Sequence, residues 1–351
     1  MSSSPHSRTR RRALPLLLTA AVALAGCAAP EPTLPHWPAP DSQPGAALPV
    51  GAQYVQPGVD ESAESQDREP YGSIRPDSST VAERVPAIIE RGRLIVGVAQ
   101  SLNRLGFRDP VTGDLAGFEV DLAREIARDI FGDPSKVEYR YVESREREDA
   151  LRKGDVDMVI RTMSITRTRQ ESVEFSTPYL RVNPRLLVLD DSDINGFDDL
   201  GDKTVCMARD STSVLQVQRL HVGRVMETRT WTDCLMAMQR FQVDAVYTDD
   251  AILSGLQAQD PYTTLAGEYG EDSYYAVAMA PPGYPRDTRG LVMQVNETLE
   301  RIRSDGTWDD LYEKWMAEYL GEPSPLPIKY RSQAESEALD DQREKVMDND
   351  R

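Results

Sequence analysis

The residues best suited to chemistry cluster at the end of one apolar run. Asp155-Val156-Asp157-Met158-Val159-Ile160 passes into Arg161-Thr162-Met163-Ser164-Ile165-Thr166-Arg167-Thr168-Arg169. A short apolar run of this kind reads as a buried strand. Its carboxyl end, rich in hydroxyl and guanidinium groups, offers hydrogen-bond donors, and open α/β sheets bind ligands at that end. Arg169 has the geometry to grip a carboxylate with two parallel hydrogen bonds, which lysine cannot supply. The alternative for these residues alone is a solvated strand end. A second apolar run, Asp244-Ala245-Val246-Tyr247-Thr248, ends in the acid Asp249. Between them, Asp210, Ser211 or Thr212 could cap a helix and leave its first N–H groups free for an anion. This is the chemistry of binding a charged small molecule. The histidines, His6, His36 and His221, are scattered, and neither a Cys-x-x-Cys nor a His-Glu pair occurs, so no metal or cofactor is expected.

The elements that must position these groups follow from periodicity. Val81 to Glu90 has helical spacing, and Leu94 to Val98 is a strand. Gly113-Asp114 marks a hairpin-like turn. Phe118 to Phe131 is an amphipathic helix with Leu122, Ile126 and Ile130 on one stripe. Val137 to Val142 alternates as a strand, and Arg147 to Lys153 is a helix stopped by Gly154. A second set follows: strands over 185–189, 203–208, 225–229, 244–249 and 274–280, and helices from Ser213 to about His221 and from Thr232 to Phe241. Two long helices, 288–303 and 307–320, close the ordered part. Alternating strands and helices predict an α/β fold with helices on the sheet faces.

The formal net charge of −18 argues against a nucleic-acid partner, which needs a basic face. Arg8, Arg10, Arg11 and Arg12 precede an apolar segment, Ala13 to Ala25, that is too short to span a bilayer. Leu24-Ala25-Gly26-Cys27 then reads as a lipoprotein processing site, with Cys27 lipidated as the mature N-terminus; the adjacent arginines also permit twin-arginine export. Loss of residues 1–26 removes four arginines and no acid, so −18 becomes −22. The two remaining cysteines, Cys206 and Cys234, form an even pair in an exported chain and read as a disulfide. Residues 27–80, rich in Pro, Ser, Gln and Gly, read as a disordered stalk, with Trp37 and Tyr54 as isolated aromatics. Residues 322–351 read as a charged, disordered tail.

From about Arg91 to Leu320 the chain resembles the polar amino-acid solute-binding proteins of ABC importers, in particular the glutamate/glutamine-binding lipoproteins of actinobacteria. The resemblance is carried by Leu94-Ile95-Val96-Gly97, Gly117-Phe118-Glu119-Val120-Asp121-Leu122, the stretch around Arg169, Asp198-Asp199-Leu200-Gly201 and Ser304-Asp305-Gly306-Thr307-Trp308. It implies a two-lobed, periplasmic-binding-protein-like (type II) fold that closes on ligand by hinge motion. Lobe 1 is expected over 81–181 plus 279–321 and lobe 2 over 182–278, with crossings near 180–185 and 275–278.

The same resemblance places Arg169 on the ligand α-carboxylate and Thr162 and Ser164 on its α-groups. The backbone at Ser211 and Thr212 falls on the carboxylate, and Asp249 on the α-ammonium. Ala99 stands where relatives carry a polar or charged side chain, which is a departure from the pattern. Arg147 matches an arginine used for a distal carboxylate, and Arg161 replaces a small residue. Two guanidinium groups favour glutamate or aspartate; if Arg161 instead pairs with Glu143, Glu146 or another local acid, the pocket is neutral and selects glutamine or asparagine. The expected partners are an ABC permease or, in a sensor reading, a membrane receptor, with the chain a monomer on the outer face of the cytoplasmic membrane. A dehydratase on this fold would need a general acid or base beyond this grip, and an enzyme is not expected.

Overall fold

The computed structural model describes residues 47–56, 69–268, 270–283 and 286–349. The export segment, Cys27 and Trp37 lie outside the described residues. In chain order the strands are β1 (Gln53–Val55), β2 (Leu94–Val98), β3 (Ser101–Leu102), β4 (Gly106–Arg108), β5 (Leu115–Ala116), β6 (Val137–Tyr141) and β7 (Met158–Val159). They continue with β8 (Glu174–Val182), β9 (Pro184–Leu189), β10 (Thr204–Ala208), β11 (Arg224–Thr228), β12 (Ala245–Asp249), β13 (Thr263–Ala266) and β14 (Ser273–Met279).

Two sheets carry the two lobes. The first has the order β6-β2-β7-β14-β8, with β2 parallel to β6 and β7 and β14 antiparallel to its neighbours. The second has the order β1-β11-β10-β12-β9-β13, with a parallel centre of β11, β10 and β12. Central strands β2, β10 and β12 are buried at every position, as parallel strands covered on both faces must be. The helix Phe118–Phe131 covers the first sheet with Phe118, Leu122 and Ile126 fully buried. Its start demands a glycine: Gly117 has φ 125, and a Cβ there would come within 2.2 Å of the Leu105 carbonyl oxygen.

Three expectations are corrected. The second crossing does not lie at 275–278. Strand β14 already pairs with β8 from Ser273, opposite Val182, so residues 273–278 belong to the first sheet and the chain crosses between Ala266 and Ser273. Tyr275 and Val277 look like any buried strand, and only their ladder partners decide which sheet holds them. Parts of the expected stalk are structured: β1 adds antiparallel to the edge strand β11, and Thr80 forms a capping box with Glu83. The expected disordered tail contains a helix, Gln333–Asn349, that buries Leu339 and Arg343. Its charged composition misleads because its anchors are arginines that find a buried acid, a pairing invisible to hydropathy. No helix of the described residues is long and apolar enough to cross a membrane.

Candidate functional site

The ladder of β7 stops after Val159, and the reason lies three residues on. Thr162 has φ 41, a left-handed conformation costly for a β-branched residue. Buried partners hold it there. The Thr162 N–H donates to Glu119 Oε1 at 2.6 Å, and its carbonyl accepts from Arg147 Nη1 at 3.2 Å. The turn brings Ser164 into a bridge with Tyr275 of β14. Thr166 then caps the helix Arg167–Ser172, its hydroxyl accepting the Arg169 N–H at 3.1 Å. Arg169 therefore stands in the first turn of that helix. Its guanidinium donates back to the Ser164 carbonyl at 3.0 Å and reaches the Asp210 carbonyl of the second lobe at 3.5 Å.

Three guanidiniums share this corner. Arg147, buried at the start of the helix Arg147–Lys153, donates to the carbonyls of Ser144, Arg161, Thr162 and Asp210. Arg161, also buried, donates to the Ser144 hydroxyl at 2.5 Å, and its Nε has no protein partner. Burial disfavours the charged form of all three, and the charges of Arg169 and Arg161 depress Arg147 further. Among the described residues no carboxylate lies within 4.0 Å of any of these groups. Glu143 pairs with Arg145 and Arg229 rather than with Arg161, and Glu146 pairs with Arg145. Acids act on them only at longer range, Glu119, Glu143 and Glu146 on Arg161 and Glu148 on Arg147 and Arg169, and buried cations without a direct anionic partner are unfavourable unless a ligand supplies one.

The opposite pole is Asp249, buried at the end of β12. It heads the helix Asp250–Gln257 without capping it; its Oδ2 accepts the Tyr275 hydroxyl at 2.6 Å. Burial pushes its carboxyl up to about 6, against the hydrogen bond from Tyr275 and the charge of Arg169. The charges of Arg169 and Asp249 act on each other. Ser211 and Thr212 open a five-residue helix, Thr212–Gln216, with a single 3-10 turn after it, shorter than the periodicity to His221 suggested. Ser211 does not cap it: its hydroxyl donates to the Ala208 carbonyl at 2.7 Å. Asp210, at φ 57, turns its carbonyl toward the guanidiniums instead. Ala99 is fully buried behind Gly106 and presents no polar group.

The lobes touch around the cleft. Arg229 donates to Glu143 at 3.1 Å, Thr232 to the Ser101 carbonyl at 3.4 Å, and Gly255 lets the Asn103 backbone approach its helix. A separate cavity of about 220 Å³ lies beside the crossings, lined by Leu180, Asn183, Asp250, Trp308 and Glu322; it contains none of the three arginines. Cys206 on β10 and Cys234 on the helix Trp231–Gln239 form a disulfide behind the Asp210 loop. Glu119 and Tyr275 were missed by sequence reasoning. Glu119 reads as an ordinary first-turn acid, yet it is fully buried, with Oε2 unpartnered and its carboxyl pushed up by burial.

Residues 94–318 match the bacterial extracellular solute-binding proteins, family 3. The ABC transporter glutamine-binding protein of Bacillus subtilis (strain 168) is 31% identical over 238 residues, covering 67% of this chain and 85% of that protein. A glutamate-binding protein of Corynebacterium efficiens is 33% identical over 253 residues, covering 68% of this chain and 83% of that protein. Among solved structures, an ancestral arginine-binding protein bound to glutamine superposes with TM-score 0.59 at 32% identity, covering 66% of this chain and 99% of the other.

Proposed function

Because the chain belongs to the bacterial extracellular solute-binding proteins, family 3, we propose that it captures a free amino acid between its lobes and that its preferred ligands are glutamate and aspartate. The single observation that carries the acidic preference is the cluster of Arg147, Arg161 and Arg169, buried or half-buried with no carboxylate partner among the described residues. Arg169 takes the α-carboxylate, helped by the N–H groups at Ser211 and Thr212 and by the edge at Thr162 and Ser164. Asp249 takes the α-ammonium in place of the Tyr275 hydroxyl. Arg161 takes the side-chain carboxylate. Arg147, with most of its donors already on carbonyls, holds the Thr162 turn and adds positive potential. The ligand's two carboxylates offset the buried cations, and its bridging of the lobes stabilises closure.

The glutamate- and glutamine-binding relatives support the ligand class, and the amino-acid grip supports binding over catalysis. Lipid anchoring at Cys27 and delivery to an ABC importer complete the reading; they rest on the sequence and on the relatives' transport role. Calorimetry with glutamate, aspartate, glutamine and asparagine tests it. Glutamate or aspartate should bind most tightly, and Arg169→Ala should abolish binding. Tight glutamine binding with no glutamate binding would overturn the acidic preference. Cys27→Ala should release the protein from the membrane and end palmitate labelling. Deletion should reduce amino-acid uptake; normal uptake with altered downstream signalling would favour a sensor instead.

A further inference from the structure

Two segments outside the matched region converge on the helix that presents Arg169. From the N-terminal side, Tyr71 exchanges hydrogen bonds with Gln170: its N–H donates to Gln170 Oε1 and its carbonyl accepts from Nε2, both at 2.9 Å. The Arg167 guanidinium lies over the Tyr71 ring. Ser73 donates to the Phe175 carbonyl at 2.7 Å and bridges to Tyr330. From the C-terminal side, Arg343 donates to the Gln170 carbonyl at 3.0 Å and to the Val173 carbonyl at 2.9 Å. Arg331 forks onto Glu174 at 2.6 and 2.7 Å, and Arg343 joins the same carboxylate at 3.2 Å. Glu174 is fully buried, and both arginine side chains are nearly so. Gln342 accepts from Arg167 at 3.1 Å.

The arrangement has a direction. The helix Arg167–Ser172 is six residues long, too short to be stable alone. Thr166 fixes its first turn, and from there the Arg169 guanidinium reaches the Ser164 and Asp210 carbonyls. Its last carbonyls would be unsatisfied without a donor, and Arg343 supplies one that also carries the charge favoured at a helix C-terminus. Holding the far end holds the rotation of the helix, and hence the aim of the guanidinium.

We propose that residues 69–77 and 329–343 are positioning elements of the carboxylate grip, with Arg343 acting through the helix Arg167–Ser172 to keep Arg169 aligned for its ligand. The inference deepens the amino-acid-binding reading and rests on it. Pre-alignment lowers the ordering cost at binding, so its loss appears mainly as faster ligand dissociation.

The test uses Arg343→Ala, Arg343→Lys and, as a control, Arg301→Ala in the full chain. Arg301 ties Glu125, Asp129 and Asp305 together, none of which lies on this helix or in either segment. L-glutamate and L-glutamine are titrated well below the melting temperature. Arg343→Ala should weaken binding about tenfold, the lower end of what removing the outer-shell partner of a metal ligand costs. Arg343→Lys should recover part of the loss. Arg301→Ala should lower the melting temperature and leave affinity within about twofold. Hydrogen exchange without ligand gives a second readout: Gln170 and Val173 amides should lose protection in Arg343→Ala only. Unchanged affinity and unchanged exchange in Arg343→Ala, or an equal affinity loss in Arg301→Ala, would overturn the proposal. If Arg169→Ala abolishes binding while Arg343→Ala is silent, the positioning role alone falls. If the wild-type chain binds neither amino acid, the binding reading falls and takes this one with it.

Discussion

Ligand affinity should fall as pH drops from 7.5 to 5, because the group that receives the ligand's ammonium is a carboxylate buried enough to hold its proton. Asp249 is pushed from 3.8 to about 6, chiefly by burial. Between those values the folded chain binds a proton that the unfolded chain has released. The sign is therefore opposite to that of a paired surface acid: stability falls as pH rises through this window. At 1.36 kcal/mol per pH unit, the charged carboxylate costs the ligand-free fold about 3 kcal/mol above pH 6. A bound ammonium offsets that cost only when Asp249 is ionised. One such proton predicts that the Kd for glutamate rises about tenfold between pH 7.5 and pH 5, or about 1.4 kcal/mol. Calorimetry in two buffers of different ionisation heat should show close to one proton released per glutamate at pH 5 and almost none at pH 7.5. The groups facing Asp249 are the Tyr275 hydroxyl, Arg169, the Tyr247 ring on the same strand and the adjacent Asp250, itself pushed up to about 7 by burial. His221 is exposed beside Gly201, so among the described residues no histidine in the cleft competes for the same pH range. Asp249→Asn should flatten the profile, while Asp250→Asn should keep its slope. A pH-independent affinity, or tighter binding at pH 5, would refute the reasoning.

Other outcomes follow from the same geometry. Arg161→Met should cost glutamate about 10- to 100-fold in affinity, the worth of a charge-assisted hydrogen bond, and leave glutamine nearly unchanged; an equal loss for both in calorimetry would remove Arg161 from the side-chain pocket. Gly255→Ala places a Cβ 2.4 Å from the Asn103 carbonyl oxygen across the cleft. The backbone at that distance has to shift, so the substitution should lower the melting temperature despite alanine's helix advantage of about 0.5–1 kcal/mol. It should weaken binding and enlarge the radius of gyration by resisting closure, and unchanged scattering with unchanged affinity would count against the clamshell contact. Replacing Cys206 and Cys234 by serine opens a link across a sequence separation of 28 and should cost about 3–4 kcal/mol in denaturant unfolding.

Local pattern was enough for much of this molecule. Apolar runs such as Leu94–Val98 and Thr204–Ala208 and the stripe along Phe118–Phe131 declare themselves, because burial on a period of two or 3.6 is a property of neighbouring residues. Asp249 stood out as the acid that ends such a run, whereas Arg169 lies in the short helix that follows one; their ligand roles are those proposed above. The tertiary structure decided where distant residues meet. It assigned Tyr275 to the first sheet, where its hydroxyl bridges to Asp249, and set Glu119 behind Thr162. It also made a charged tail into a support by matching Arg331 and Arg343 to Glu174. Hydropathy cannot foresee such pairs: a charge reads as solvated until its counter-charge, more than 150 residues away in the chain, is brought against it and both leave water together.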